Sequence, residues 1–178
     1  MHKDIAIIIS AKGLGDIIFH HSFIKSIYNH HKKKIILFAN KSTKADLIFK
    51  KNKYIKKVVL IDLRRPKKIF YFSKIISVVI KLFKFNFEKV YYTGNHKWHK
   101  VSFKILSIFK SFKLICFKNN KKFMIPFLEF YLKKINITYY SDFNIDVKEN
   151  VSKIFKKKIG KCKKLWAFLS IDTSEDQI

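Results

Sequence analysis

Arginine is almost missing from this 178-residue chain. Of its 39 basic residues only Arg64 and Arg65 are arginines. Proteins that read base sequence rely on the arginine fork for bidentate contacts, so sequence-specific nucleic-acid binding is not expected. Cysteine is scarce too: Cys116 and Cys162 show no paired spacing, which excludes a disulfide framework and fits a reducing cytoplasm. Cys116 falls in an apolar run and reads as a small buried hydrophobe. Two prolines and four glycines leave no linker rich in either. No apolar stretch reaches the roughly 20 residues of a membrane span. The run from Ile5 to Ala11 is short and flows into a glycine turn, so a secretory signal is not expected either.

Acids are few, 12 against 39 basic residues, and the formal charge is +27. Part of this excess follows from composition, because Lys, Ile, Phe, Asn and Tyr are together abundant, as an AT-rich genome encodes. The charge is physical all the same. Between Leu63 and Ser141 stand 18 Lys and Arg residues and only two acids, Glu88 and Glu129. That stretch is expected either to be a solvated lysine surface or to be drawn to anionic phospholipid or phosphorylated glycolipid headgroups.

The hydrophobic fraction of 48% is that of a folded domain. Strand, loop and helix patterns alternate along the chain. Ile5–Ile9 is a strand, Ser10–Asp16 a turn and Ile17–Tyr28 a helix. Ile35–Ala39 is the second strand, and Ser42–Lys50 a short helix with Ser42 or Thr43 as its cap. Val58–Ile61 is a strand, and Pro66 opens a helix that continues over Ile69–Phe85. Phe87–Tyr92 is a strand closed by Thr93-Gly94-Asn95, before a helix over His96–Phe112 and a strand over Leu114–Phe117. Phe127–Ile135 and Val147–Ile159 read as helices. Such alternation predicts an α/β fold: a Rossmann-like parallel sheet with helices on both faces, its central strands apolar because both sides are covered. Leu165–Ile171 reads as a fresh strand with nothing left to pair in order. Residues 1–160 are therefore expected to form one domain, and 161–178 the start of a truncated second one; the alternative is that this strand completes the edge of the existing sheet.

The chemistry concentrates at the first turn. Gly13 and Gly15 are expected to let the backbone bend sharply and a ligand approach, with helix-start amides free to hold an anionic or hydroxyl-rich group. Gly13-Leu14-Gly15-Asp16 is not the dinucleotide fingerprint, and an acid there repels a pyrophosphate, which argues against NAD or FAD. Asp16 stands near a helix N-terminus, where the dipole favours a carboxylate. It is either a cap of that helix or a general base for a hydroxyl group. His20 lies one helical turn on, on the same face, to orient that base or to contact substrate.

Ile5 through Ile61 resembles the N-terminal domain of the family 9 glycosyltransferases, the lipopolysaccharide heptosyltransferase group. The opening strand, Gly13-Leu14-Gly15-Asp16, the following helix, strand Ile35–Ala39 and Asn52–Val58 carry the likeness. Ser22 stands where many members have proline. The resemblance implies a GT-B fold, of which this chain is the N-terminal half, and an inverting transfer with Asp16 as catalytic base. Lys12, Gly13, Gly15 and His20 would form the acceptor pocket. It implies a nucleotide-sugar donor of the ADP-heptose kind, a lipopolysaccharide-core or other glycolipid acceptor, no other cofactor and no metal. Thr173 and Ser174 fall near the family's phosphate loop, a weak donor-site match. The expected place is the cytoplasm, peripheral at the inner face of the membrane, and a chain this short is expected to be inactive alone. A non-catalytic basic module docking on an anionic membrane or polymer is the alternative.

Two other features stand out. His96 and His99 are spaced as helical metal ligands, but with no third ligand nearby they read as surface histidines. In Ile69–Phe85, Lys74, Ser77, Lys81 and Lys84 form one polar stripe on an otherwise apolar helix. Burial between sheet and neighbours is the expectation; aromatic side chains dipping into a membrane interface is the alternative.

Overall fold

The computed structural model describes residues 3–11, 13–63, 68–94, 96–117 and 124–140. Five strands, β1 (Asp4–Ile9), β2 (Ile35–Asn40), β3 (Ile55–Ile61), β4 (Phe87–Tyr92) and β5 (Lys113–Cys116), alternate with five helices. The helices are α1 (Leu14–His31), α2 (Ala45–Phe49), α3 (Tyr71–Phe83), α4 (Lys97–Phe109) and α5 (Met124–Lys134). Single turns of 3-10 helix precede α2 and α3.

The strands form one sheet in the order β3-β2-β1-β4-β5, every pair parallel. β1 is central, with Ile7 opposite Leu37 on one side and Tyr91 on the other. Because successive side chains alternate faces, the isoleucines of β1 feed two cores. Ile5, Ile7 and Ile9 meet α1, α2 and α5 through residues such as Phe23, Phe49 and Phe127. Ala6 and Ile8 meet α3 and α4 through Val78, Leu82, Phe103 and Leu106. Each such aliphatic or aromatic side chain removed from water contributes about 1.5–3 kcal/mol before the entropy of ordering it. The two-faced burial explains why β1 and β2 are apolar with almost no alternation.

Glycine scarcity shows in the turns. α1 ends on Lys32, a lysine in the left-handed region (φ 53°) whose N–H donates to the Tyr28 carbonyl at 2.7 Å, the place where glycine is usually found. Lys44 (φ 47°) and Asn136 (φ 55°) take the same conformation.

Several local expectations change. α2 begins after Lys44 with no side-chain cap. The Thr43 hydroxyl instead donates back to the Asn40 carbonyl at 2.7 Å, so neither Ser42 nor Thr43 caps that helix. α3 is not buried all round: Ile75, Val78 and Leu82 are inside, while Phe72, Ile76 and Ile80 face outward, as does Ile69 just before it. Its neighbour α4 covers one side only, because the crossovers from β3 to β4 and from β4 to β5 lay just these two helices on that face. His99 is not a surface histidine but is fully buried. Cys116, on edge strand β5, is a half-buried free thiol. The helix over Val147–Ile159 and the strand over Leu165–Ile171, with the domain they were to open, lie outside the described residues.

Candidate functional site

The sheet order fixes the topological switch point of the fold. The chain moves outward from β1 to β2 to β3, then crosses back to place β4 on the other side of β1. Connections leaving β1 and β4 therefore diverge at the carboxyl ends of adjacent strands, the switch point where open α/β sheets bind ligands. Ser10, Ala11 and Gly13 leave β1 there; Thr93 and Gly94 leave β4, and the Thr93 N–H donates to the Ile8 carbonyl at 3.2 Å.

Asp16 sits in the first turn of α1, at this switch point, and is half-buried with a face open to solvent. The N-cap is Gly13, in extended backbone at φ −95° and ψ 159°. Any residue adopts that conformation, so Gly13 does not supply a special bend. A Cβ there would stand 3.6 Å from Asp16 Oδ2, and a Cβ on Gly15 would meet nothing within 4 Å. The Gly13 position is thus in ordinary contact with the Asp16 carboxylate, and the Gly15 position faces open space.

His20 has 0% exposure. Its Nδ1 lies 2.6 Å from the Asp16 backbone carbonyl and its Nε2 3.1 Å from Thr93 Oγ1. A carbonyl only accepts, so Nδ1 carries the hydrogen and Nε2 accepts from the Thr93 hydroxyl. Burial lowers its pKa to about 4, with the Asp16 carbonyl and carboxylate opposing in part. A neutral imidazole with both nitrogens engaged ties the first turn of α1 to the end of β4. The ring is hidden from solvent and bonds the main chain of Asp16 rather than its carboxylate.

A second buried polar group backs the switch point from the α4 side. The Tyr92 hydroxyl is hydrogen-bonded to His99 Nδ1 and accepts the His96 N–H at 3.2 Å; Ser10 bonds the same hydroxyl. Burial pushes the Tyr92 phenol up. His99 is lowered to about 3 by burial and by His96, against the Leu63 carbonyl. A Cβ on Gly94 would run into Ser10 Oγ and Tyr92 Oη. Glycine is thus required at 94 for packing, while 15 is merely open.

Sequence reasoning singled out Asp16 and its neighbours but missed Ser10, Thr93 and Tyr92. The available signal was the second strand-then-glycine turn, Tyr92-Thr93-Gly94, which the predicted parallel order brings beside the first. Lys12, Thr173 and Ser174 lie outside the described residues. Among the described residues no cluster of three metal-ligating side chains occurs. Two surface concavities of about 470 and 420 Å³ lie elsewhere, one around Glu129, Lys133 and Asn136, the other around His30, Tyr91 and Lys113. Neither includes a residue of the switch point.

No family model matches this sequence, and no curated protein is significantly similar to it. Solved structures do share its fold. A glycosyl transferase of family 9 from Veillonella parvula DSM 2008 superposes with a TM-score of 0.62 at 13% identity, over 92% of this chain and 52% of that one. The E. coli heptosyltransferase WaaC, with ADP-2-deoxy-2-fluoro heptose, gives 0.46 at 12% identity, over 78% of this chain and 50% of its own. The chain spans about half the length of these structures. Its five-stranded parallel sheet is a Rossmann-like α/β fold of the kind found in a family 9 glycosyltransferase.

Proposed function

We propose that this chain is the acceptor-binding half of an inverting, heptosyltransferase-like glycosyltransferase of bacterial envelope assembly, with Asp16 as general base. The observation that carries the reading is Asp16 itself, half-buried at the switch point in the first turn of α1, with open space at the neighbouring Gly15. An acceptor hydroxyl resting there gives its proton to Asp16 as its oxygen forms a bond to the anomeric carbon of the donor. The bond from that carbon to the nucleoside diphosphate breaks, and the diphosphate leaves with the electron pair. Placement rather than covalent chemistry does most of the work. Lys12, Gly13 and Gly15 contact the acceptor, and His20 holds Asp16 in place from below.

The donor is a nucleotide-sugar of the ADP-heptose kind, and the acceptor a lipopolysaccharide-core or related glycolipid, on the strength of the Gly15-Asp16 resemblance. The donor pocket belongs to a second domain starting near residue 161, with Thr173 and Ser174 at its edge. The reaction takes place in the cytoplasm at the inner membrane face, where lipid-linked acceptors are found.

Asp16→Asn, introduced into the protein with both domains, is expected to cut transfer by about 10²–10⁴-fold while the denaturation midpoint stays within error. Retained turnover would remove Asp16 as the base. The 178-residue chain alone is expected to bind acceptor saccharide but not nucleotide-sugar; tight nucleotide-sugar binding by it would overturn the division of labour. The alternative, a basic non-catalytic docking module, draws on the outward apolar face of α3. In that case Asp16→Asn leaves affinity for anionic surfaces unchanged or slightly higher.

A further inference from the structure

We infer that the outer face of α3 and α4 docks this chain on an anionic phospholipid bilayer, lying in the interface plane. α3 is apolar over most of its circumference, with Lys74, Ser77, Lys81 and Lys84 as its one polar stripe. The inner row Ile75, Val78 and Leu82 is packed on the sheet. The outer row Phe72, Ile76, Ile80 and Phe83 follows the same 3.6-residue period, and is exposed: Phe72 by 78% and Ile80 by 56%; Ile69, in the 3-10 turn just before the helix, is exposed as well. The Phe83 ring meets Phe109 of α4 edge-on, 6.4 Å between centroids, and Ile108 beside it is 74% exposed. The apolar surface thus runs from one helix onto the next, where a protein surface normally breaks up such a row with polar residues.

Charge selects the occupant. Neither α3 nor α4 contains an acid. Lys74 is committed to Asp62, and Lys110 donates to the Phe83 and Phe85 carbonyls at 2.5 and 2.8 Å; neither enters the argument. Lys81 and Lys84 border the apolar row on one side, and Lys97, Lys100 and Lys104 line the exposed side of α4. Lysine stems lie along apolar surface while their ammonium groups reach outward, which places them at phosphate height when the row enters the acyl boundary. A second copy of the chain is disfavoured as the occupant, because it would bring identical lysine rows together on molecules of charge +27. With 13 residues each, α3 and α4 lie on the bilayer, and no helix among the described residues is long and apolar enough to cross it.

The docking face stands independently of the glycosyl-transfer reading, since Asp16 lies on the other layer of helices; Asp16→Asn is expected to leave vesicle binding unchanged. The test is co-sedimentation of the whole chain with phosphatidylcholine vesicles, with and without an equal part of phosphatidylglycerol. Binding is expected with the anionic vesicles and to weaken in high salt. Ile76→Ser with Ile80→Ser, both on exposed positions, is expected to lower partitioning about tenfold or more, and so is Lys97→Gln with Lys100→Gln and Lys104→Gln. Tryptophan at position 72 (Phe72→Trp) is expected to shift its emission to the blue on adding anionic vesicles, a readout that survives any loss of stability in the multiple variants. Binding that ignores the isoleucine pair reduces the face to a solvated lysine surface and overturns the proposal. So does no binding to anionic vesicles, or a serine variant that turns a dimer into a monomer without changing vesicle binding.

Discussion

Gly15 and Gly94 border the same switch point from opposite sides and have opposite surroundings. Gly94 has Ser10 Oγ and Tyr92 Oη within the space a Cβ would take, and Gly15 has nothing within 4 Å. Gly94→Ala must displace the Ser10–Tyr92 pair and is expected to cost about 2–3 kcal/mol, measured by urea denaturation. Gly15→Ala sits in the first turn of a helix and is expected to stabilise by about 0.5–1 kcal/mol. If the open space at Gly15 receives an acceptor, the same Gly15→Ala lowers turnover while raising stability. A rise in stability with turnover intact would show that the open space is not used. From the sequence, all three glycines looked like turn residues; which of them is needed for shape and which for space depends on what stands opposite, and that is set by β1–β4 pairing.

At the scale of elements, α3 separates what a pattern reveals from what it hides. Its apolar content was evident in the sequence, and so was the single polar stripe, but a helix apolar over most of its circumference does not say which side is inside. The structure decides: Ile75 is 2% exposed and Ile76 53%. Ile75→Ala is expected to cost about 2–4 kcal/mol, as buried large-to-small changes do, while Ile76→Ala one residue on is expected to stay within about 0.5 kcal/mol. Equal losses at both positions in chemical denaturation would mean that the outer row is covered in solution. α1 shows the complementary case. Its buried set includes His20, His21, Ser22 and Ser26, polar residues that a pattern reading assigns to solvent. They are tolerated because partners exist: Thr93 for His20, and for Ser26 Oγ the Ser22 carbonyl at 2.9 Å together with the Tyr140 N–H at 2.9 Å.

For the molecule as a whole, the buried histidines tie stability to pH. His20 and His99 are held neutral, at about 4 and about 3 against an ordinary 6.5. Above pH 6.5 both are neutral folded or unfolded, and the fold keeps its full stability. Between 6.5 and about 4 the unfolded chain takes up protons that the folded chain refuses, so stability falls as pH falls. The slope is up to ~1.4 kcal/mol per pH unit for each histidine. The urea midpoint is therefore expected to drop steadily from pH 7 to pH 4.5, and His99→Gln to make that slope shallower. A midpoint constant over this window would mean that water reaches both rings.

The order of strands and helices, the parallel sheet and the place of Asp16 were legible in the residues themselves. Each follows from local signals: apolar runs of strand length, helical spacing, and a glycine pair beside an acid. β4 was read over Phe87–Tyr92, as observed. What only the tertiary structure decided was everything that depends on a neighbour distant in the chain. Thr93 meets His20 across 73 residues, Ser10 meets Tyr92, and among the described residues no helix is laid over the outer row of α3. A sequence reports each residue's own preference for water, helix or strand; which residue satisfies a buried donor, and which apolar side is left uncovered, are settled only when the sheet closes and brings those partners together.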